Sequence, residues 1–397
     1  MRPLLLSHFT AVTCLGHGVS ANLEALRAGH SGLAPCRFET VDLDTYVGEV
    51  AGVDGFELRS DLSLFDCRNN RLAQLALGQD DLTLAIGESA RRYGPERVGV
   101  FIGTSTSGIL ETELAYRRRD PQTGALPPDF RYEGTHNTYS AAAFVRRFCA
   151  LEGPAFVVSA ACASSAKVFG SAWRLIEAGL IDAAVVGGVD SLCLTTLYGF
   201  NSLQLVSRTP CRPFDQERDG ISIGEAAAFA LLTRAPDDLD PSAVLLLGLG
   251  ESSDAYHMSS PHPEGLGARL AMEQALASAG LTTGAIDYLN LHGTATPSND
   301  SAEGRAVADL FGRALPCSST KGATGHTLGA AGAVEAVLCA LALRDGFLPG
   351  GVGTLTPDPA IGIHYLLENL AQPPRRILSN SFGFGGSNCS LLLGRAG

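Results

Sequence analysis

The chain has 397 residues, 45% of them apolar and 18% charged, with a net charge of −12. That length exceeds one ordinary core and suits two domains or a duplicated fold, and the apolar fraction excludes a disordered chain. The acidity excludes broad nucleic-acid binding, and no stretch approaches the ~20 apolar residues of a membrane span.

Ten cysteines show no CxxC pair and no His/Cys ligand spacing, so neither a disulfide framework nor a transition-metal site is indicated. Unpaired thiols in this number fit the reducing cytoplasm. The N-terminal apolar run Leu4-Leu5-Leu6 is too short for a signal peptide.

In chain order, a strand over Leu4–Val12 precedes a helix over Asn22–Ala28. Strands at Val98–Ile102 and Ala155–Ser159, a helix at Gly170–Ala178 and strands at Ala183–Val186 and Ala226–Leu232 follow. After them come the strand Val244–Leu249, the helix Arg269–Ala279, the strand Tyr288–Leu291 and the helix Ala302–Phe311. A strand over Leu315–Ser319, a small-residue helix over Ala333–Arg344 and the strand Cys389–Leu393 complete the pattern. Glycine-punctuated alternation predicts βαβ units with largely parallel pairing. Arg234–Pro241, with two prolines and three acids, divides the chain into 1–235 and 236–397.

Ala161-Cys162-Ala163-Ser164-Ser165 follows the short strand Ala155–Ser159 and opens a helix whose inner face carries Val168, Ala172, Leu175 and Ile176. A thiol there sits against the positive helix end and unpaired N–H groups, which favour a thiolate and an adjacent oxyanion. Cys162 is either a nucleophile for acyl transfer or a small buried core residue. Two histidine segments bear on that choice. In Asp287-Tyr288-Leu289-Asn290-Leu291-His292-Gly293-Thr294-Ala295-Thr296-Pro297 an apolar strand ends at His292. In Ser318-Ser319-Thr320-Lys321-Gly322-Ala323-Thr324-Gly325-His326 a glycine-rich loop delivers His326 to the small-residue helix. Last comes Ser379-Asn380-Ser381-Phe382-Gly383-Phe384-Gly385-Gly386, whose glycines allow close backbone approach to a ligand.

These segments, with Arg212-Pro213-Phe214-Asp215 and Asp254-Ala255-Tyr256-His257, together resemble an elongating β-ketoacyl-acyl-carrier-protein synthase of the thiolase superfamily. The likeness runs over nearly the whole chain. It implies an α/β thiolase fold, a duplicated five-layer αβαβα sandwich, with Cys162 in one half and the histidines and lysine in the other. The implied reaction is a decarboxylative Claisen condensation: an acyl group on Cys162 is attacked by a carbanion from malonyl-carrier protein. The backbone N–H groups of Cys162 and Phe384 would hold one oxyanion, and His292 and His326 the enolate. Lys321 would orient the histidines with Glu335 as its partner, and Phe384 would gate the pocket beside Phe382. Thr294 and Thr296 would hold the phosphopantetheine amide. Asn290, Glu335, Ser379 and Asn380 would form either a monovalent-cation site or a plain hydrogen-bond network. No other cofactor is implied.

The implied partner is an acidic acyl carrier protein, so an acidic chain must reserve cations near its entrance. The candidates are Arg68, Arg71, Arg117, Arg118, Arg119 and Arg212. The resemblance also implies a homodimer, with residues 105–140 near the interface and the pocket mouth, or a heterodimer with a cysteine-less ketosynthase-like partner. A thiolase would carry a second catalytic cysteine where Phe382-Gly383-Phe384-Gly385-Gly386 stands, and an initiating enzyme an asparagine at His326. Leu4–Val12 and Thr104-Ser105-Thr106-Ser107-Gly108 depart from the housekeeping pattern. The departures suggest a specialised pathway such as aryl polyene or polyketide-like lipid synthesis.

Overall fold

A computed structural model describes all 397 residues. The first half runs β1 (Leu4–Thr13), β2 (Gly16–His17), α1 (Gly18–Arg27), β3 (Ala34–Pro35), β4 (Tyr46–Gly48), α2 (Arg68–Leu77) and α3 (Leu82–Tyr93). It continues through β5 (Val98–Gly103), α4 (Ile109–Arg117), α5 (Ser140–Phe148), β6 (Ala155–Val158), α6 (Ser164–Glu177), β7 (Ala183–Asp190), α7 (Leu194–Ser202), β8 (Ile223–Gly224) and β9 (Ala226–Arg234). The second half runs β10 (Val244–Ser253), α8 (Leu266–Ala279), β11 (Tyr288–Asn290), α9 (Pro297–Phe311), β12 (Pro316–Ser318) and the single turn α10 (Lys321–Thr324). It ends with α11 (Ala331–Asp345), β13 (His364–Tyr365), β14 (Arg376–Gly383) and β15 (Ser387–Arg395).

The two halves have one topology. The first half-sheet is ordered β6-β5-β7-β9-β1 and the second β12-β11-β14-β15-β10. In each, the chain's third strand lies outermost, followed by the second, fourth, fifth and first. Antiparallel pairing of Leu4 with Leu246 and Leu5 with Leu245 joins them, and β13 extends the far edge. Pairing is parallel only among the outer strands and antiparallel across β7-β9-β1-β10-β15-β14. The expectation of largely parallel pairing is corrected here. β14 and β15 are joined by the three-residue turn Phe384–Gly386, and a tight hairpin admits only antiparallel strands.

Five layers follow from the burial pattern. α6 and α11 form the middle layer, packed against Phe101, Val186 and Ala228 of one half-sheet and Tyr288, Ile377 and Leu391 of the other. α2, α3 and α5 cover the outer face of the first half-sheet, and α8 and α9 that of the second. Leu341 and Leu343 of α11 are fully buried, as are Ala336 and Ala340, so the helix is apolar all round and shows no amphipathic stripe. The middle layer is tight. A Cβ on Gly332 of α11 would lie 2.6 Å from the Ala166 nitrogen of α6, and one on Gly188 of β7 2.5 Å from the Ser165 Cβ. β7 therefore runs on through Gly187 and Gly188 to Asp190, beyond the Val186 expected from sequence.

Arg68 is buried rather than presented to a docking partner, and Arg71 is paired with an acid. Arg68 is 3% exposed; its Nε and Nη2 donate to the two oxygens of Glu225, at 2.8 and 2.6 Å, and it stacks over Phe38. Glu225, wholly buried, also accepts the N–H groups of Val50 and Leu192. The pair ties the start of α2 to the strand entering the site region. Arg71 is held bidentately by Asp66, at 2.6 and 2.9 Å. Arg68→Ala leaves a buried carboxylate without its counter-charge, so unfolding free energy should fall by about 3–5 kcal/mol. Denaturant unfolding followed by circular dichroism measures this; an unchanged midpoint would contradict it.

Candidate active site

β6 ends at Val158, and the chain turns sharply before α6 begins at Ser164. Ala161 adopts a left-handed φ of +49°, a conformation costing on the order of 1–3 kcal/mol for a residue with a Cβ. Ser164 holds it: its hydroxyl accepts the Ala160 N–H at 2.8 Å and donates to the Ala161 carbonyl at 2.5 Å. This elbow places Cys162 in a cleft of about 600 Å³ including its open mouth. Phe200, Leu205, Ile221, His292, His326 and Phe384 are among its lining, with Thr294, Thr296 and Phe382.

The Cys162 sulfur and one nitrogen of each histidine lie within 4.8 Å of one another. The imidazoles meet edge to face, ring centres 5.3 Å apart. His326 Nδ1 faces the Leu328 N–H at 3.2 Å and so must accept, leaving the ring proton on Nε2. His292 Nδ1 lies 3.3 Å from the Lys321 ammonium, which only donates, so its proton too is on Nε2. Lys321, 1% exposed, also donates to the His292 carbonyl at 2.5 Å and to Glu335 Oε1. Burial first, then the Lys321 charge, holds both imidazoles well below their usual range and hence neutral. Three donors of this kind also suit a metal, but the Lys321 ammonium against His292 opposes a divalent cation there.

Burial pushes the Cys162 thiol up to about 11, against the pull of Lys321 and the Phe384 backbone N–H. The thiolate expected from a helix N-terminus is thus not the resting form. Desolvation outweighs a helix-end contribution of about 0.3–2 kcal/mol.

Thr294 and Thr296 share a hydroxyl–hydroxyl bond of 2.9 Å at the cleft wall. Phe382 packs 5.8 Å from the His292 ring, and Phe384 5.6 Å from Phe200, centre to centre. The four oxygen-bearing residues do not form one set. Asn290 donates to Ser379 Oγ at 3.3 Å on the sheet face toward α11, where Glu335 Oε2 is buried without a hydrogen-bond partner. Asn380, its neighbours' side chains alternating about the strand, points the other way, to Glu303 at 3.0 Å and Met272 of α8. Its side chain therefore lies in a hydrogen-bond network on the opposite sheet face, with Glu303 and Ser390.

Sequence reasoning missed three buried carboxylates. Glu303 of α9 accepts the N–H groups of His292 and Gly293, both at 2.8 Å, and burial pushes it up to about 7. Asp300 accepts those of Phe214 and Thr294, at 2.8 and 3.0 Å. Asp190 binds the Thr104–Thr106 loop. The one signal available was their position on elements flanking the motifs. Among the remaining arginines, Arg212 is drawn to Glu217, Arg117 to Glu39 and Arg118 to Asp129, while Arg119 is exposed and free of acidic partners. Arg208, not singled out from sequence, is also exposed and unpaired, three residues from Leu205 of the cleft.

A thiol of this kind reacts only as its thiolate, so iodoacetamide alkylation of Cys162 should quicken roughly tenfold per pH unit from pH 7 to 10. Lys321→Met should slow it at every pH, because the lowering charge is gone. A plateau below pH 8, followed by peptide mass spectrometry, would contradict the burial argument.

Comparison with known proteins agrees with this geometry. The β-ketoacyl synthase N-terminal domain pattern matches residues 9–238 and the C-terminal domain pattern residues 243–354. The chain is 32% identical to 3-oxoacyl-[acyl-carrier-protein] synthase 2 of Vibrio cholerae over 96% of both chains. It is 37% identical to the mitochondrial 3-oxoacyl-[acyl-carrier-protein] synthase of Arabidopsis thaliana over 75% of this chain and 68% of that one. Among solved structures it resembles the ketosynthase ApeO of Xenorhabdus doucetiae, solved with its chain length factor ApeC. That match has 39% identity and a TM-score of 0.87, covering 100% of this chain and 98% of that one. The ishigamide ketosynthase/chain length factor matches at 27% identity and a TM-score of 0.89, with both chains fully covered. With both family domains spanning its two halves, the chain belongs to the β-ketoacyl synthase family.

Proposed function

We propose that this protein catalyses decarboxylative Claisen condensation of a Cys162-bound acyl group with malonyl-acyl carrier protein, in polyene or polyketide-like lipid synthesis. The observation that carries the reading is the meeting of one thiol and two neutral Nε2–H donors within 4.8 Å in one cleft. In the first half-reaction the Cys162 sulfur bonds to the acyl carbon, the carrier's C–S bond breaks, and the thiol proton leaves with the carrier thiol. The N–H groups of Cys162 and Phe384 face the transient oxyanion; losing one such donor costs on the order of 10²–10³ in rate. A thiol buried until the acyl carrier arrives is spared side reactions.

In the second half-reaction the malonyl C–C bond breaks, CO2 leaves, and its electron pair moves to the thioester oxygen. His292 and His326 donate their Nε2 protons to that enolate as hydrogen bonds without becoming charged. The enolate carbon bonds to the acyl carbon, the C–S bond to Cys162 breaks, and the sulfur takes up a proton from solvent. Thr294 and Thr296 hold the pantetheine arm, and Phe384 beside Phe200 admits malonyl. The free Oε2 of Glu335, with Asn290 and Ser379, supports a structural monovalent cation beside this machinery. No helix is long and apolar enough to cross a membrane.

Cys162→Ala should abolish condensation. His292→Ala or His326→Ala should remove CO2 release from malonyl carrier while sparing some acyl transfer, measured by radiolabelled CO2 and intact-protein mass spectrometry. Acylation lost with decarboxylation intact would reverse the roles.

The partner assignment follows the same reading. ApeO and the ishigamide ketosynthase are each solved with a chain length factor, and here β6 is one edge of the sheet, with Phe156 49% exposed. An unpaired apolar edge suits a second ketosynthase-fold chain. Co-expression with a cysteine-less paralogue should give a heterodimer by light scattering; a homodimer unaffected by the paralogue favours the other arrangement. Arg119 and Arg208, free of acidic partners, suit an acidic carrier protein. Arg208→Glu should raise KM for carrier-bound substrate a few-fold and leave an N-acetylcysteamine thioester unchanged, since exposed pairs contribute about 0.2–1 kcal/mol. An equal effect on both substrates would remove Arg208 from docking.

A further inference from the structure

We propose that Asp190 is a positioning residue for condensation: its carboxylate, gripped by the Thr104–Thr106 loop, fixes the turn after His326 so that this imidazole presents Nε2–H to the cleft. The inference rests on the reading of His326 as an enolate donor.

Asp190 ends β7, is fully buried and has no cation within ion-pair distance. A buried carboxylate of this kind needs several donors, and two loops supply them. Oδ1 accepts the Thr104 hydroxyl at 2.6 Å, the Ser105 and Thr106 N–H groups at 2.8 and 2.9 Å, and the Thr106 hydroxyl at 2.9 Å. Oδ2 accepts the Ser105 hydroxyl at 2.5 Å and, from the other half of the chain, the Gly329 N–H at 2.6 Å. The loop singled out in the sequence as unlike the housekeeping form is therefore a cradle for this one carboxylate.

The Gly329 bond matters because of what precedes it. Leu328 has a left-handed φ of +52°, and that turn aims its N–H at His326 Nδ1. The His326 backbone is already fixed, its N–H donating to Ser222 at 2.7 Å and its carbonyl accepting from Gly224 at 3.0 Å. What remains adjustable is the imidazole, and the 327–329 turn sets it. Asp190 is the anchor at the far end of that turn. No residue larger than glycine fits at 329: a Cβ there would lie 2.7 Å from Asp190 Oδ2 and 2.7 Å from the Ser105 nitrogen.

Asp190→Asn keeps the shape but converts one acceptor oxygen into a donor among donors. The expected result is a kcat for malonyl-carrier decarboxylation lowered about tenfold or more, with its KM and the rate of Cys162 acylation within about threefold of the parent. Ser105→Ala, which removes one donor but spares the Gly329 bond, should lose less decarboxylation than Asp190→Asn. If Asp190→Asn does not fold, Gly329→Ala, which drives a methyl against Oδ2, should give the same selective loss. The inference is overturned if either variant decarboxylates like the parent, or if both half-reactions fall together with the melting temperature, which marks plain structural support. His326→Ala separates the layers: if it decarboxylates normally the underlying reading fails, whereas if it is dead and Asp190→Asn is not, only this inference fails.

Discussion

A lysine ammonium sealed from water is the constraint around which the site is built. Lys321 has lost its hydration, and such a charge persists only where partners replace every lost hydrogen bond. Glu335, the His292 carbonyl and His292 Nδ1 do so. Each partner is thereby placed. His292 receives its tautomer from the same charge, which adds to burial in keeping the ring neutral, and Glu335 must come from a helix running through the middle of the protein. The duplicated sheet provides that helix: α11 is enclosed on both faces, and its N-terminus meets that of α6 because glycines at 188 and 332 let the backbones close. The Ser165 hydroxyl accepting the Ala333 N–H at 2.9 Å joins the two helix starts directly.

Burial acts with opposite sign on the acids and bases of this site. It raises the Cys162 thiol and the Glu303 carboxyl and depresses both imidazoles, in each case favouring the uncharged form. The outcome is a cleft whose reacting groups are neutral at rest beside one fixed cation. That arrangement suits chemistry in which negative charge appears briefly on a substrate oxygen, since fixed donors in a dry site stabilise it without rearranging.

Much of this was legible in the sequence because its carriers are local. Cys162 after a short strand, His292 at a strand end, and Lys321 five residues before His326 keep their meaning without knowledge of the fold. The carboxylates Asp190, Asp300 and Glu303 were not legible, because an acidic residue is read as solvated unless its donors are known, and those donors are N–H and hydroxyl groups that only the fold turns toward them. Arg68 failed for the same reason: Arg-Asn-Asn-Arg at a helix start looks like a wet face, and only the fold brings Glu225 to it. The alternation of elements was visible, but strand direction was not, since it depends on which connections are hairpins. Which face Asn380 serves was not legible either, because one residue along a strand reverses it.

The central claim is that His292 and His326 are neutral Nε2–H donors held by Lys321 and the Leu328 N–H. Solid-state ¹⁵N NMR of histidine-labelled protein, with the two residues assigned through His292→Asn and His326→Asn, tests it directly. The account predicts that both rings show an unprotonated Nδ1 and a protonated Nε2, unchanged from pH 8 down to pH 6. An imidazolium signal, or a proton on Nδ1 of either ring, in that range would contradict it.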